Sequence, residues 1–138
     1  MDDIFQTLHR AAADLIKSRY TPQRHVIAAA VMTASGKVYS AVNLDSYLRR
    51  AAMCAEAGAI AAAMTAGERE ITAILAVRHD EGIAAPQLVS PCGICRELIA
   101  DYGPDAMVFV PDVNGAPKAH NVAELLPNRY AKQGKQIS

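Results

Sequence analysis

The sequence contains no tryptophan, and its two phenylalanines and five tyrosines make up only 5% of the 138 residues. A chain of this size buries roughly two-thirds of its unfolded surface, so a core can form, but a core so poor in aromatic side chains is thin for one subunit. Hydrophobic residues make up 51% of the chain, a value typical of one globular domain. We therefore expect a single domain over residues 1–138 that associates with copies of itself.

The chain also lacks an excess of charge of either sign. Its 14 basic and 14 acidic residues give a formal net charge of +0, so the positive surface that binds a nucleic-acid backbone or an anionic membrane is missing. The longest mainly apolar run, residues 51–66, contains Glu56 and is shorter than a membrane span. The first residues are acidic, whereas a secretory signal begins with basic ones. These absences predict a cytoplasmic protein that binds neither nucleic-acid polymers nor membranes.

Helical and extended patterns alternate along the chain. Apolar residues recur at helical spacing in the first segment, an alanine-rich segment predicts a second helix, and Ser90-Pro91 offers an N-cap and a first-position proline for a third. The predicted helices are residues 3–20, 54–66 and 92–102, and the predicted strands are 25–32, 38–42, 71–77, 107–110 and 118–122, followed by a turn at 123–126 and a frayed polar tail from about 132. This order predicts an α/β fold, a three-layer α-β-α sandwich with a central mixed sheet of about five strands.

The three cysteines all lie where predicted helices begin. Cys54 comes two residues before Glu56, and Cys92 and Cys95 form a Pro-Cys-Gly-Ile-Cys segment. A Cys-x-x-Cys pair at a helix start presents two sulfurs on one side, and Cys54 offers a third, so a tetrahedral metal would keep one open position. Two alternatives remain: Cys54 packs in the core, or Cys92 and Cys95 form a redox pair. The redox alternative leaves Cys54 and Glu56 without a role.

This constellation resembles the signature of the zinc-dependent nucleobase deaminases. Within that group the sequence is similar to the small homotetrameric cytidine deaminases and the blasticidin S deaminases. The resemblance covers most of the chain and rests on Ala28-Ala29-Ala30, Ser35-Gly36, Val42-Asn43, Cys54-Ala55-Glu56, Pro91-Cys92-Gly93, Cys95-Arg96 and Leu125-Leu126-Pro127. It implies a homotetramer and hydrolytic removal of an amine from a cytosine-type ring.

The resemblance assigns the chemistry to four residues. Cys54, Cys92 and Cys95 would bind one catalytic Zn²⁺ per subunit, with Cys54 in the place of a histidine that other members use. Glu56 would take a proton from the attacking water, deliver it to the ring nitrogen and then help the amine to leave as ammonia.

Three thiolates outweigh the zinc charge, so positive groups must offset them if the bound water is to stay acidic. Many family members have an arginine after Cys-Ala-Glu, but this chain has Ala57. Arg96, which matches the family's Cys-Arg, is the preferred side chain for this supporting role beside the metal ligands. Arg49 and Arg50 are further candidates, and the alternative for all three is an ordinary solvated arginine.

The resemblance also implies substrate contacts. Asn43 and Asp45 match an Asn-x-Glu segment that holds the ribose hydroxyls in cytidine deaminases, although Asp45 is one methylene shorter than Glu. His25 occupies the place of an aromatic residue before the first strand. Tyr130 occupies the place of an aromatic residue that reaches a neighbouring subunit's site.

The expected reaction converts cytidine or deoxycytidine to the uracil-type product with release of ammonia. The first alternative is a nucleoside analogue such as blasticidin S or another amino-heterocycle, a shift that the substitutions at Asp45, Ala57 and His25 favour. A second alternative is a structural-zinc or redox protein in which the metal only ties two helices together. Glu56 argues against that class, because a structural zinc site needs no proton shuttle.

Overall fold

A computed structural model describes residues 2–130 of the chain. The described range contains three α-helices, six strands and two short 3₁₀ helices. The helices are α1 (Asp2–Arg19), α2 (Ala55–Thr65) and α3 (Gly93–Tyr102); the strands are β1 (Ile27–Thr33), β2 (Val38–Val42), β3 (Ile71–Arg78), β4 (Gln87–Val89), β5 (Met107–Pro111) and β6 (Pro117–Asn121); the 3₁₀ helices are Arg49–Ala51 and Val122–Leu125.

The strands form one mixed sheet in the order β2-β1-β3-β5-β6, with β4 paired to β3. The β3–β5 pair is parallel and the other pairs are antiparallel. β3 has β1 along one side, while its other side is shared between β5 at Ala73 and Ile74 and β4 at residues 76–78. The start of β1, the end of β2 and the start of β4 therefore lie together at one edge of the sheet.

The sheet separates two hydrophobic layers because its side chains alternate between its faces. In β3, Ala73, Leu75 and Val77 pack with α1, whereas Ile74 and Ala76 pack with α2 and α3. The amphipathic face of α1 places Leu8, Ala12 and Ile16 against the first face, and all three are fully buried. The second face is covered by buried alanines of α2 and by Ile99 of α3. This arrangement confirms the predicted three-layer fold.

The alanine-rich helix α2 is apolar on most of its surface, and its small side chains let it lie close to the sheet. Ala55, Ala59 and Ala63 are buried against β1 and β2, and Glu56 is the buried charged residue of the same helix. Glu56 is therefore a carboxyl group at the start of a helix in an otherwise apolar layer.

The structure extends the sequence prediction in one detail and corrects it in two. The predicted sheet of about five strands is confirmed by the path β2-β1-β3-β5-β6, and the structure adds the three-residue strand β4, which is too short to show an alternating pattern in the sequence. The first strand begins at Ile27 rather than at residue 25. Cys92, not Ser90, is the N-cap of α3, so Pro91 precedes the helix instead of opening it.

The hairpin between β1 and β2 turns at Gly36, whose φ of 86° is the left-handed conformation that glycine adopts readily. The turn at 123–126 is observed as the 3₁₀ helix Val122–Leu125. The expected frayed tail from about residue 132 lies outside the described residues. Within residues 2–130, no helix combines the length and the apolar character needed to cross a bilayer.

Candidate active site

An open cavity of about 380 Å³ lies at the sheet edge where α2 and α3 begin. Its wall is formed by the start of β1, the segment that follows β2, the first turn of α2, and the residues between β4 and α3. The lining residues are Ile27, Asn43, Leu44, Asp45, Arg49, Ala52, Met53, Cys54, Ala55, Glu56, Val89, Ser90, Cys92 and Ile94. The N-terminal ends of two helices therefore lie at one cavity.

The three cysteines meet at one side of this cavity. Cys54 is the N-cap of α2, Cys92 is the N-cap of α3, and Cys95 lies in the first turn of α3. Their sulfur atoms all lie within 4.8 Å of one another, and the Cys54 and Cys92 sulfurs are 3.7 Å apart. Thiolates bound tetrahedrally to zinc at about 2.3 Å have sulfurs about 3.8 Å apart. The spacing and the all-sulfur donor set fit a zinc ion with one open coordination position.

The pKa values of the three thiols are shifted in different directions, and a bound cation would favour the thiolate form of all three. Burial opposes ionisation of Cys92, but hydrogen bonds from the Cys95 backbone and thiol outweigh it, so the Cys92 pKa lies below its ordinary value. Burial raises the pKa of the Cys54 thiol. Burial, followed by the nearby Glu56 carboxylate, also raises the pKa of Cys95. A bound metal ion overrides such penalties because thiols that coordinate a metal lose their protons.

Glu56 lies in the first turn of α2 and is only 6% exposed. Burial raises the pKa of its carboxyl group. The side chain lines the cavity together with Cys54 and Cys92, so a ligand in the cavity would contact both the thiol cluster and a carboxyl group. A buried carboxylate is costly unless it interacts with a partner of opposite charge or exchanges a proton.

The Asn43 side chain has a fixed orientation. Its Oδ1 atom accepts hydrogen bonds from the backbone N–H groups of Val26 at 2.8 Å and Ile27 at 3.0 Å. Only the oxygen of the amide can accept, so the Nδ2 group must face away from these donors. The Nδ1–H of His25 donates to the Asn43 carbonyl at 2.8 Å. His25 therefore contacts the backbone of Asn43, and it is not one of the cavity-lining residues in the described range.

Asp45 is held at the opening of the cavity by two donors. Its Oδ1 atom accepts from the Ser46 backbone N–H at 2.8 Å and from Arg49 Nη1 at 3.0 Å. A two-residue bridge between Leu44 and Met53, with N–O distances of 2.9 and 2.8 Å, joins this segment to the residue before Cys54. The bridge brings the segment that carries Asp45 to the same cavity as Cys54, although eight residues separate the two in the sequence.

Arg96 points its guanidinium at backbone carbonyls. Nε donates to the Pro91 carbonyl at 2.9 Å, and Nη1 donates to the Leu125 carbonyl at 3.0 Å. The side chain thus connects the segment that carries Cys92 to the 3₁₀ helix after β6. It contributes a positive charge beside the cysteine loop without lining the cavity.

The structure brings six of the predicted site residues to the cavity: Asn43, Asp45, Cys54, Glu56, Cys92 and, directly behind them, the buried Cys95. Tyr130 is 84% exposed and does not line the cavity of its own chain in the described range. Sequence reasoning missed the apolar rim formed by Leu44, Met53 and Ile94, because isolated loop residues carry no periodic signal. Arg49 was considered only as a possible partner of the thiolates, and the structure places it in the cavity wall.

Comparison with known proteins finds deaminases both among protein-family models and among curated sequences. A family model described as "Cytidine and deoxycytidylate deaminase zinc-binding region" matches residues 3–111. The chain is 39% identical over 128 residues to the blasticidin-S deaminase of Bacillus cereus, and the match covers 91% of each chain. It is 31% identical over 116 residues to a cytidine deaminase of Sporosarcina psychrophila, covering 83% of this chain and 82% of that one.

Solved structures are similar as well. The crystal structure of the cytidine deaminase from Bacillus anthracis matches with a TM-score of 0.80 at 26% identity, over 92% of this chain and 89% of that one. The cytidine deaminase from Mycobacterium leprae matches with a TM-score of 0.75 at 26% identity, over 90% of this chain and 98% of that one.

Proposed function

We infer that the chain, which belongs to the cytidine and deoxycytidylate deaminase family, is a zinc-dependent hydrolytic deaminase of cytosine-type nucleosides. The observation that carries this conclusion is the cluster of three thiols beside the buried Glu56 at an open cavity. A structural-zinc or redox role would leave this carboxyl group and the cavity unexplained.

Cys54, Cys92 and Cys95 are proposed to hold one Zn²⁺ per subunit, with the fourth coordination position facing the cavity. Zinc bound there would supply Lewis-acid activation of the attacking water. Backbone hydrogen bonds at the start of α3 stabilise the Cys92 thiolate, which is the form that the metal requires.

Glu56 is proposed to be the proton shuttle. Its carboxylate takes a proton from the attacking water, donates it to the ring nitrogen next to the amino-bearing carbon, and assists protonation of the leaving amine. The overall change consumes one water and releases one ammonia, because the bond from the ring carbon to its exocyclic amine breaks and that carbon becomes a carbonyl. Burial suits Glu56 to this role, because a carboxyl group removed from water holds a transferred proton more readily.

Asn43 and Asp45 are proposed to bind the sugar. Asn43 Oδ1 is already committed to the β1 backbone, so its Nδ2 group is the part that would donate to a sugar hydroxyl. Asp45 would accept from a hydroxyl while Ser46 and Arg49 hold one of its oxygens. His25 is proposed to act through Asn43, whose carbonyl it holds, rather than on the substrate itself.

Arg96 is proposed to position the cysteine loop. Because it ties the Pro91 carbonyl to the Leu125 carbonyl, it fixes the residue immediately before Cys92. Its positive charge partly offsets the thiolates, in the absence of an arginine at Ala57.

Cytidine or deoxycytidine is the first substrate candidate, and blasticidin S is the second. Blasticidin S is kept as a candidate because the chain is 39% identical to the blasticidin-S deaminase of Bacillus cereus, against 31% to the cytidine deaminase of Sporosarcina psychrophila. Metal analysis and ammonia release on cytidine, deoxycytidine, blasticidin S, free cytosine and adenosine would test both. We expect one zinc per chain and turnover of a cytosine-containing compound. A zinc-free protein with a Cys92–Cys95 disulfide, or a zinc protein inactive on the whole panel, would contradict the assignment.

A cytoplasmic homotetramer with shared active sites is proposed for the assembled protein. Tyr47, Leu48 and Ile94 are exposed apolar side chains, of which Ile94 lines the cavity, and self-association would cover them. Arg129 donates to Glu97 at 2.6 Å and to Asp101 at 2.9 Å, which holds the chain against α3 just before the exposed Tyr130. The exposure of Tyr130 beside this contact supports the proposal that it reaches a neighbouring subunit.

Sedimentation measures the assembly, and subunit mixing measures the sharing. Tyr130→Ala and Glu56→Gln subunits mixed in one oligomer should regain activity above either parent, because some sites would combine an intact Glu56 with a donated Tyr130. Strictly additive activity in a verified mixed oligomer would contradict shared sites.

A further inference from the structure

Arg49 is the cationic side chain of the cavity wall among the described lining residues. It begins the 3₁₀ helix Arg49–Ala51, between the sugar-side segment at Asn43 and the first zinc-ligand candidate at Cys54. Its side chain is 82% exposed, so the guanidinium is accessible from solvent and from the cavity. Its neighbour Arg50 is also exposed but is not part of the wall.

The guanidinium of Arg49 is only partly used by the protein. Within residues 2–130, its hydrogen bond is the one from Nη1 to Asp45 Oδ1 at 3.0 Å. A guanidinium has five N–H donors in a rigid fork, and the edge formed by Nε and Nη2 matches the two oxygens of a carboxylate or phosphate. The Asp45 contact leaves that edge open.

The Asp45–Arg49 pair is an exposed ion pair between residues four apart, and such pairs contribute little to stability, typically less than about 1 kcal/mol. Folding therefore does not require Arg49 at this place. The pair does have a geometric effect: Asp45 restrains Nη1, which aims the rest of the guanidinium and lowers the entropy lost when a ligand binds.

The surroundings separate the cavity into two chemical regions. Cys54, Glu56 and Cys92 line the inner region, with the buried Cys95 beside them in the thiol cluster, and the aminated ring must lie there for deamination. The outer region has an apolar rim of Leu44, Met53 and Ile94 with Arg49 as its positive group. A substrate placed with its ring inside would direct its sugar substituents toward this outer region.

We propose that Arg49 is a specificity-determining residue that binds an anionic substituent, a carboxylate or a phosphate, carried on the sugar of the aminopyrimidine substrate. This inference rests on the proposed deaminase function. It assigns to the outer region a preference for negatively charged nucleosides that Asn43 and Asp45 alone would not provide, since a carboxylate at Asp45 repels an anion.

The test compares zinc-loaded wild type, Arg49→Gln, Arg49→Lys and the matched control Arg50→Gln. Ammonia release is measured on cytidine, cytidine 5′-carboxylate and cytidine 5′-monophosphate. Loss of a charge-assisted bidentate contact should lower kcat/KM of Arg49→Gln on an anionic substrate about ten-fold or more. Neutral cytidine should change by less than about three-fold on the same scale, Arg49→Lys should fall between, and Arg50→Gln should match wild type. If kcat/KM of Arg49→Gln falls more on cytidine 5′-carboxylate, the substituent that Arg49 binds is a carboxylate. If it falls more on cytidine 5′-monophosphate, the substituent is a phosphate.

Titration calorimetry with uridine and uridine 5′-carboxylate or 5′-monophosphate measures the same contact without turnover. The wild type should bind an anionic product more tightly than uridine, and Arg49→Gln should abolish that preference. Equal losses on neutral and anionic compounds, or no loss on either, would overturn the proposal, because Arg49 would then only position Asp45 or be solvated. A wild type that releases no ammonia from any compound contradicts the deaminase function, while the calorimetric comparison still decides the role of Arg49.

Discussion

Replacement of Glu56 by glutamine separates proton transfer from metal binding. The substitution keeps the size of a side chain that is only 6% exposed, and it leaves the three cysteines and their helix starts unchanged. It removes proton transfer, because an amide at neutral pH cannot accept a proton from water and donate it to the substrate. Glu56→Gln should therefore bind zinc and fold normally but turn over very slowly.

The expected size follows from the two proton transfers assigned to Glu56. A positioned general acid or base contributes a factor of about 10² to 10⁴. Because the same carboxyl group serves both the water and the leaving amine, turnover should fall by at least about 10³, which corresponds to about 4 kcal/mol of activation free energy. KM should change much less, since Glu56 transfers protons in the transition state and contributes little to binding of the substrate in the ground state.

Stability provides a second measurement with a defined sign. Burial raises the pKa of Glu56 above its value in the unfolded chain. The ionised carboxylate is therefore disfavoured by folding, and the metal-free wild type should lose free energy of unfolding relative to Glu56→Gln as the pH rises through the unfolded pKa toward the folded one. Denaturation of the two metal-free proteins across acidic to neutral pH measures this difference.

The assay needs zinc content, thermal unfolding and single-turnover ammonia release on the same preparations. Glu81→Gln is the matched control, because Glu81 is exposed and lies outside the cavity wall; its activity should equal that of the wild type. If Glu56→Gln retained more than about a tenth of the wild-type rate, less than 1.4 kcal/mol would separate them, and the proton-shuttle assignment would be refuted.

Three further substitutions test the supporting structure. Gly103→Ala should lower the free energy of unfolding by about 2 kcal/mol, because its Cβ would overlap the Ile71 carbonyl oxygen and lie 3.0 Å from the Ala106 Cβ. In chemical denaturation Gly93→Ala is the control, since its Cβ would meet no atom within 4 Å. Arg96→Gln should cost about 2 kcal/mol and weaken zinc binding by loss of the Pro91 and Leu125 contacts; full stability in Arg96→Lys would show that charge alone suffices. Asp45→Ala should raise KM for cytidine but not for free cytosine, and equal effects on both would mean that Asp45 is structural.

The metal cluster could be predicted from the sequence because its geometry is local. Cys92 and Cys95 are one helical turn apart, and Cys54 precedes Glu56 by two residues, so each motif fixes the relative directions of its own side chains. The α/β alternation then predicts that both helices begin at one side of a sheet. The structure adds the distance between the two motifs, which depends on the start of β1, the end of β2 and the start of β4 lying at a common edge.

The outer part of the cavity could not be predicted in the same way. The Leu44–Met53 bridge joins two irregular segments through two backbone hydrogen bonds, and neither segment has a periodic pattern. The three-residue strand β4 owes its conformation to pairing with β3 rather than to its own residues. Asn43 was identified by position, but only the structure shows that its oxygen binds the β1 backbone and that His25 holds its carbonyl.

These two parts of the cavity differ in what a substitution costs. At the inner end, Glu56 and Cys95 are buried in the layer between the sheet and two helices, so a change there affects both the chemistry and the core. At the outer end, residues 44–53 are mostly exposed, and an ion pair worth less than about 1 kcal/mol joins Asp45 to Arg49. Substitutions in that segment can alter substrate contacts with little loss of stability. The search for this chain's own substrate contacts therefore belongs at Asp45 and Arg49 rather than at the three cysteines.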